Sequence, residues 1–92
     1  MHKFLVHRAG DDVGVATAGI EAGERVLGVM LDDETTCEVE ALEAVPLGHK
    51  LAIHDRSPGD PVTEYGVRIG TAPRGFRRGE YVHTHNLVSA RW

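Results

Sequence analysis

Histidine is frequent in this chain, with six residues among 92, and two of them form the segment His83-Thr84-His85-Asn86. A strand is predicted from Glu80 to Asn86, and residues i and i+2 of a strand share a face, so His83 and His85 are expected to project together. Two imidazoles on one face can bind a transition metal, transfer a proton or hold a carboxylate. The spacing leaves these roles open, and it equally fits two polar residues on the solvent side of a strand.

A second candidate group, His49-Lys50, follows a predicted turn at Gly48. A lysine ammonium could neutralise the carboxylate of a substrate or assist proton abstraction from an α-hydroxy acid. The alternative is a solvated strand residue, which is the usual environment of lysine. Asn86 could orient a neighbouring histidine or hold a substrate hydroxyl, although asparagine at the end of a strand also often starts a turn.

Charge is unevenly distributed along the chain. Residues 1–45 hold three basic and ten acidic residues, whereas residues 46–92 hold seven basic and four acidic ones. The basic half would suit an anionic ligand such as a carboxylate or sulfonate, and Arg78 is the arginine that we assign to substrate binding. The alternative is that these arginines are solvated or pair with the acidic half. The overall charge of −4 argues against general nucleic-acid binding.

The remaining candidates have simpler structural interpretations. His7 could add a ligand or merely end the first strand, and His54 is expected to form an ion pair within His54-Asp55-Arg56. Cys37 lies in an acidic segment without a neighbouring basic group to favour a thiolate, so it is interpreted as structural. The acidic runs at Asp11-Asp12 and Asp32-Asp33-Glu34 are explained by turn formation.

The elements that position these residues are predicted to be short strands joined by tight turns. Glycine provides 11 of the 92 residues, while aromatic residues are only 5%, so the core should be aliphatic. Gly23, Gly48, Gly59 and Gly79 occupy the same place in four segments that resemble apolar-x-x-Gly-x-x-apolar. A glycine with positive φ there would make a turn just before a strand. Only Glu38 to Val45 has helical spacing, and it allows one or two turns at most.

Alternation of apolar and polar residues therefore predicts a small all-β domain with at most one short helix. An acidic turn at 31–34 should join two of the strands in a hairpin. A single cysteine excludes an internal disulfide, and no apolar run approaches the roughly 18 residues of a membrane span, which together predict a cytoplasmic protein without a membrane partner. The predicted strands are Phe4–His7, Asp12–Ala16, Glu24–Leu31, Thr35–Val39, His49–His54, Val62–Tyr65, Val67–Thr71 and Glu80–Asn86.

The whole chain, residues 1–92, resembles a single SAF domain, which has the β-clip fold. It is most similar to the N-terminal domain or small subunit of the altronate and galactarate dehydratase family, which includes the small subunit of (2R)-sulfolactate sulfo-lyase. The Gly48-His49-Lys50 and His83-x-His85-Asn86 elements are the most specific parts of this resemblance. The other matching segments are Phe4-Leu5-Val6-His7, Gly10-Asp11-Asp12-Val13-Gly14-Val15-Ala16, Ile20-x-x-Gly23-Glu24-x-Val26, Pro46-Leu47, Leu51-Ala52, Tyr65-Gly66-x-x-Ile69-Gly70, Gly79-Glu80-x-Val82 and Leu87.

The resemblance implies a lyase that depends on iron or another divalent metal and acts on small anionic hydroxy acids. Dehydratase members remove water from sugar acids, and the sulfo-lyase removes sulfite from sulfolactate to leave pyruvate. In both, a large catalytic partner carries most of the machinery and would hold most of the metal. The resemblance favours functional roles for the His83 and His85 pair and for Lys50, but it leaves open whether the pair acts as metal ligand, acid–base group or substrate clamp. The residues and the resemblance together assign His83, His85 and Lys50 as catalytic residues, His49, Asn86 and Arg78 as substrate-binding residues, and His83 and His85 as metal ligands.

A domain of this size is expected to offer little volume for a buried pocket of roughly 300 Å³. The active site should then lie at the interface with the large subunit, and a homo-oligomer is also possible. The alternative function is a stand-alone module that binds sugars or sugar acids without catalysis. An ice-binding function is disfavoured, because the chain has few Thr residues and a charged C-terminal strand.

Overall fold

The computed structural model describes residues 1–89, and nine strands form this part of the chain. No residue between 1 and 89 is helical, so the described chain contains no helix that could cross a membrane. The all-β prediction is confirmed. The strands are β1 (Phe4–Val6), β2 (Val13–Ala16), β3 (Arg25–Met30), β4 (Thr36–Glu40), β5 (Lys50–Ala52), β6 (Asp60–Glu64), β7 (Val67–Ala72), β8 (Tyr81–Val82) and β9 (Val88–Ser89).

The strands form two sheets of unequal size. The larger sheet has the order β4-β3-β1-β2-β5-β8, and the smaller one has the order β6-β7-β9. All neighbouring strands are antiparallel except β1 and β3, which are parallel. The predicted hairpin around the acidic turn is confirmed as β3 and β4, which pair Val26 with Val39.

Five turns of one kind connect these strands, and we call them the glycine turns. In each, the N–H of the fourth residue donates to the carbonyl of the first at 3.0 or 3.1 Å, and the third residue is a glycine with φ between 83° and 95°. This is the geometry in which only glycine is unstrained. Four of the turns were predicted, whereas the one at Gly10 was not. The glycine turns are Arg8–Asp11, Glu21–Glu24, Pro46–His49, Ser57–Asp60 and Arg77–Glu80.

Four glycine turns are closed a second time by a side chain. Their fourth residue is Asp or Glu, and its carboxylate accepts a hydrogen bond from the N–H of the first residue at 2.8 to 3.2 Å. The remaining turn differs at both positions, because its fourth residue is His49 and its first is Pro46, which has no N–H to satisfy. Otherwise its backbone is the same, and the N–H of Gly48 donates to the Ala16 carbonyl much as that of Gly79 donates to Ala52.

Backbone bridges hold the glycine turns together in pairs. Ile20 and Val45, which precede two of the turns, exchange backbone hydrogen bonds, and Arg56 and Phe76 do the same for two others. The first pair places two apolar side chains from distant parts of the sequence in the interior, and the second places Phe76 there. The repeated segment is therefore a device for stacking turns against one another as well as for starting strands.

The interior divides into two clusters, the first with strand residues of the larger sheet and the second with strand residues of both sheets. Both are mainly aliphatic, as predicted, with one Phe each. Burial of such side chains is the main source of stability in a domain without a disulfide. The first cluster contains Phe4, Val6, Ala16, Ile20, Val26, Val39, Ala41, Val45, Leu51 and Ile53. The second contains Val13, Ala52, Val62, Ala72, Phe76 and Val82.

The segment from Glu38 to Val45 is not helical, so the prediction from its spacing was wrong. Residues up to Glu40 belong to β4, and the backbone N–H groups that follow bind distant carbonyls. Ala41 donates to Glu24 and Leu42 donates to Gly79. Because these long-range bonds occupy the backbone groups, no i→i−4 helical bonds form, and the apparent period reflects burial of single residues in an extended segment.

Candidate functional site

An open cleft of about 650 Å³ lies between the two sheets. One wall is formed by the start of β5 and the glycine turn before it, and the other by β6, β7 and β9. The segment that follows β8 closes one end. The curled sheets leave an open cleft rather than a buried pocket, so the expectation of little volume for a buried pocket stays a prediction. Its polar lining residues are His49, Lys50, Glu64, His83, Thr84 and Ser89, and its apolar ones include Ile69, Val82 and Leu87.

Tyr81 lies at the centre of a cluster of histidines beside this cleft. Its hydroxyl is 2.6 Å from His49 Nδ1. Its ring stacks on His83, with centroids 5.7 Å apart and planes 9° apart, and it also contacts His85 at 5.6 Å. The His49 and His83 rings are 5.1 Å apart. Three histidines separated by up to 36 sequence positions thus share one aromatic neighbour, which the sequence analysis did not identify.

Glu64 provides a buried carboxylate at the wall of the cleft. Only 5% of this residue is exposed. Its two carboxylate oxygens lie 3.8 Å from Lys50 Nζ and 3.7 Å from His7 Nε2. The His7 ring in turn stacks on Tyr65 at 3.7 Å. The lysine predicted from sequence is therefore in the cleft, but its charge is partly balanced by a carboxylate that sequence analysis missed.

Glu64 and Tyr81 escaped sequence analysis for the same reason. Glu64 looks like one residue of an alternating strand, and Tyr81 looks like a core aromatic. Their partners lie 14 and 32 positions away for Lys50 and His49, respectively. No local spacing signals such contacts, which arise from the pairing of β5 with β8 and from the packing of the smaller sheet against the larger one.

The segment after β8 is a turn, so the prediction of a strand from Glu80 to Asn86 was wrong beyond Val82. The N–H groups of Asn86 and Leu87 donate to the His83 carbonyl at 3.1 and 2.9 Å. His83 and His85 therefore do not project from one strand face. His83 lines the cleft, whereas His85 is not among the lining residues and contacts Tyr81.

Asn86 explains why the strand stops. Its side chain is buried, with Oδ1 accepting from the His83 N–H and Nδ2 donating to the Tyr81 carbonyl, both at 2.8 Å. An asparagine that satisfies the backbone in this way competes with the strand and favours a turn. These contacts match the turn-forming alternative given for Asn86, which does not line the cleft, and its assignment to substrate binding stays a prediction.

Three other candidates lie outside the cleft. The Arg78 guanidinium donates to the Glu38 carbonyl at 2.6 Å, beside β4, so the structure does not bring it to the other predicted site residues. His54 Nδ1 is 3.3 Å from Asp12 Oδ1, so its carboxylate neighbour is Asp12 rather than Asp55. Burial raises the pKa of the Cys37 thiol, which supports a structural role for this residue.

The family resemblance implies a divalent metal, and the histidine pair is the candidate for its ligands in this chain. Within residues 1–89, no three side chains of the His, Cys, Asp and Glu types are placed to hold one ion. His83 and His85 contact the same tyrosine from a turn, and a closed transition-metal site needs further ligands. These residues alone do not fit a metal centre, so metal ligation by this histidine pair stays a prediction.

The fold and the cleft define a small all-β domain whose candidate functional feature is a cleft lined by histidine and lysine side chains. The profile described as "Altronate/galactarate dehydratase SAF domain" matches residues 2–90. The chain belongs to this family. The predicted family resemblance is therefore confirmed.

Three characterised proteins are similar to the chain. The (2R)-sulfolactate sulfo-lyase subunit alpha of Chromohalobacter salexigens is 43% identical over 90 residues, which cover 97% of this chain and 96% of that subunit. The (2R)-sulfolactate sulfo-lyase subunit alpha of Paracoccus pantotrophus is 34% identical over 67 residues, which cover 73% of this chain and 100% of that subunit. The altronate dehydratase of Bacillus subtilis is 29% identical over 86 residues, covering 94% of this chain but 16% of that enzyme. The chain is thus a homologue of lyase subunits.

Proposed function

We propose that this chain is the small subunit of a sulfo-lyase and contributes its cleft to the binding of an anionic hydroxy acid, with (2R)-sulfolactate as the first candidate. The observation that carries the proposal is the 43% identity to a sulfo-lyase subunit alpha across nearly the full length of both chains. Altronate or galactarate is the second candidate substrate, supported by the family match and by the 29% identity to altronate dehydratase.

The chemistry of the cleft supports an anionic ligand. Lys50 carries a positive charge, and His49 and His83 add imidazoles that can donate hydrogen bonds to carboxylate or sulfonate oxygens. Glu64 faces Lys50 and prevents the cleft from being uniformly positive. A substrate with one hydroxyl and two anionic groups matches this mixed lining better than a simple inorganic anion, because Glu64 could accept from the hydroxyl.

The cleft is open, and its rim supports a role at an interface. Val88 lines the cleft from β9 and is 45% exposed, and Leu47, which precedes the lining residue Gly48, is 66% exposed. Burying such residues against a partner would remove apolar surface from water while covering a bound substrate. We propose a large catalytic subunit as that partner.

A divalent metal, with iron as the first candidate, would then be held mainly by the large subunit. Such an ion supplies Lewis-acid polarisation of a substrate oxygen when it is bound. The residues of this chain would bind and orient the substrate anion and hold a proton at an imidazole nitrogen beside it. His83 and Lys50 are the predicted catalytic residues that line the cleft; His85 would act from the Tyr81 cluster.

Co-expression with a lyase large chain of the same family tests the proposal. We expect a stable complex that releases sulfite and pyruvate from (2R)-sulfolactate, with no release by either chain alone. Release of water from altronate or galactarate instead would select the second substrate class. A chain that binds sugar acids in calorimetry but forms no complex and supports no elimination would establish the alternative of a stand-alone binding module and refute the subunit proposal.

A further inference from the structure

The glycine turn before β5 departs from the other four at two positions that depend on each other. In the other four turns the fourth residue is an acid that accepts from the N–H of the first. In this turn His49 replaces the acid, and Pro46 removes the N–H that the acid would have satisfied. An imidazole at this place leaves no unpaired amide in the turn, so its side chain is free to serve another purpose.

That side chain is turned to Tyr81 and to the cleft. Tyr81 Oη lies 2.6 Å from His49 Nδ1, and His49 lines the cleft. When the hydroxyl donates to Nδ1, the ring proton resides on Nε2, which is then the nitrogen that can donate to a ligand. When the ring is protonated, the same hydroxyl can accept from Nδ1–H. A hydroxyl can thus support both charge states of the imidazole, whereas a carboxylate would favour the cation.

The other histidines of this region are held differently. His83 contacts Tyr81 and His49 through its ring, and His85 contacts Tyr81 outside the cleft lining. His7 lies against the buried Glu64 carboxylate. The groups that face His49 are therefore Tyr81 and His83 as ring neighbours, with Lys50 and Glu64 in the same cleft.

From this geometry we propose that His49 contacts the anionic substrate through its Nε2 atom. Tyr81 is the positioning residue that orients the His49 ring. Pro46 has no N–H for a side chain to cap, so the His49 side chain is available for the substrate. The inference deepens the proposed function and rests on it for the identity of the substrate. It narrows the substrate-binding role predicted for His49 to one ring nitrogen and names the two residues that make that nitrogen available.

Nitrogen-15 NMR of the full chain, at a pH where the ring is neutral, tests the role of Tyr81. We expect His49 to be a single tautomer with its proton on Nε2, and Tyr81→Phe to convert it to a mixture. Tyr65→Phe is the matched control, since Tyr65 also stacks on a histidine, His7. A mixed tautomer in the unmodified chain, or an unchanged tautomer in Tyr81→Phe, would overturn the assignment.

A double-mutant cycle in urea denaturation tests the role of Pro46. Pro46→Ala restores an amide that His49 does not cap, so its urea midpoint should fall. His49→Asp in the Pro46→Ala background should recover that loss, because the turn then matches the acid-capped ones, whereas His49→Asp with Pro46 present should bring no gain. Purely additive effects would show that the two positions are independent and would contradict the inference.

Kinetics of the assembled enzyme link the inference to the substrate. Tyr81→Phe should lower kcat/KM about tenfold, the value for loss of one well-placed hydrogen bond, and shift its pH profile, while Tyr65→Phe should do neither. An active complex with an unchanged Tyr81→Phe profile would refute the inference and leave the proposed function standing. An inactive complex would refute the proposed function. The NMR measurement of the His49 tautomer and the double-mutant cycle at Pro46 and His49 would still decide whether Tyr81 and Pro46 control His49.

Discussion

The glycine turn at Pro46–His49 and the one at Arg77–Glu80 have the same backbone but different side-chain tasks. Both close with a 3.0 Å hydrogen bond between the fourth and first residues, and both glycines have positive φ. The Glu80 carboxylate accepts a hydrogen bond from the Arg77 N–H. The His49 ring instead forms a hydrogen bond with the Tyr81 hydroxyl and lines the cleft. The glycine fixes the turn, so the fourth residue is available for function wherever the first amide is absent.

This difference separates the residues that hold the fold from those that serve the cleft. A change at Gly79 or Glu80 should affect stability first, whereas a change at His49 or His83 should affect activity first. The two turns lie at opposite ends of the β5–β8 pair, since these strands, which follow them, are antiparallel. The predictions below either strengthen this separation or abolish it.

The largest expected effect is on activity. His49→Ala and His83→Ala should each lower kcat/KM of the assembled enzyme by about 100-fold or more, the range for loss of an acid–base group. His85→Ala should cost less, because His85 does not line the cleft. Steady-state kinetics, with circular dichroism to confirm folding, provide the measurement. Wild-type activity in both His49→Ala and His83→Ala would end the assignment of the cleft as the substrate site.

The next effect is on stability, at the glycines. Gly79→Ala places a methyl where the Glu40 carbonyl oxygen lies at 2.2 Å, in addition to the strain of φ +95°. Gly23→Ala has a similar φ of +84° but no atom within 4 Å. We expect losses in the free energy of unfolding of about 3 kcal/mol and about 1 kcal/mol, respectively, from urea titrations. Equal losses would show that the strain of positive φ alone determines the loss in the free energy of unfolding, and that the contact with the Glu40 carbonyl oxygen adds nothing.

A smaller effect should follow from transplanting the His49 arrangement into the Arg77–Glu80 turn. Glu80→His leaves the Arg77 N–H without its carboxylate and should reduce the free energy of unfolding by about 1 kcal/mol. Adding Arg77→Pro removes that amide and should recover part of the loss. If the double variant is less stable than Glu80→His, then Pro46 is tolerated for a reason peculiar to its own position.

Local sequence patterns predicted the fold well because its units are local. The positions of Gly23, Gly48, Gly59 and Gly79 predicted four turns, since positive φ is a property of a single residue. The turn at Gly10 escaped notice although His7-x-x-Gly10-x-x-Val13 has the same form as Arg56-x-x-Gly59-x-x-Val62, in which a polar residue also stands first. The strands were found to within a few residues, except for the last two, β8 and β9.

The candidate site was predicted less well because its geometry is set by contacts between distant residues. The His83-x-His85 spacing predicts a shared strand face, but the buried Asn86 side chain bends the chain into a turn. His49 and Lys50 were identified, whereas Glu64 and Tyr81 acquire their roles only when the sheets pack. Arg78 was assigned from net charge, and charge alone does not tell which side of a domain an arginine occupies.

The smallest effect concerns an acid-capped turn that also carries an ion pair. The Lys3 ammonium, followed by the Glu21 N–H, holds the pKa of the Glu24 carboxyl below its usual 4.5. Because this pKa is lowered in the folded state, the carboxylate contributes its full stability above the usual pKa, and this contribution disappears as the pH falls through the folded-state pKa.

Glu24→Gln keeps an acceptor for the Glu21 N–H but removes the ion pair with Lys3. Its urea midpoint should therefore be slightly below wild type near neutral pH and should converge with it in acid, and the gap should shrink in high salt. A gap that persists unchanged in acid would mean that the turn depends on the shape of this side chain and not on its charge.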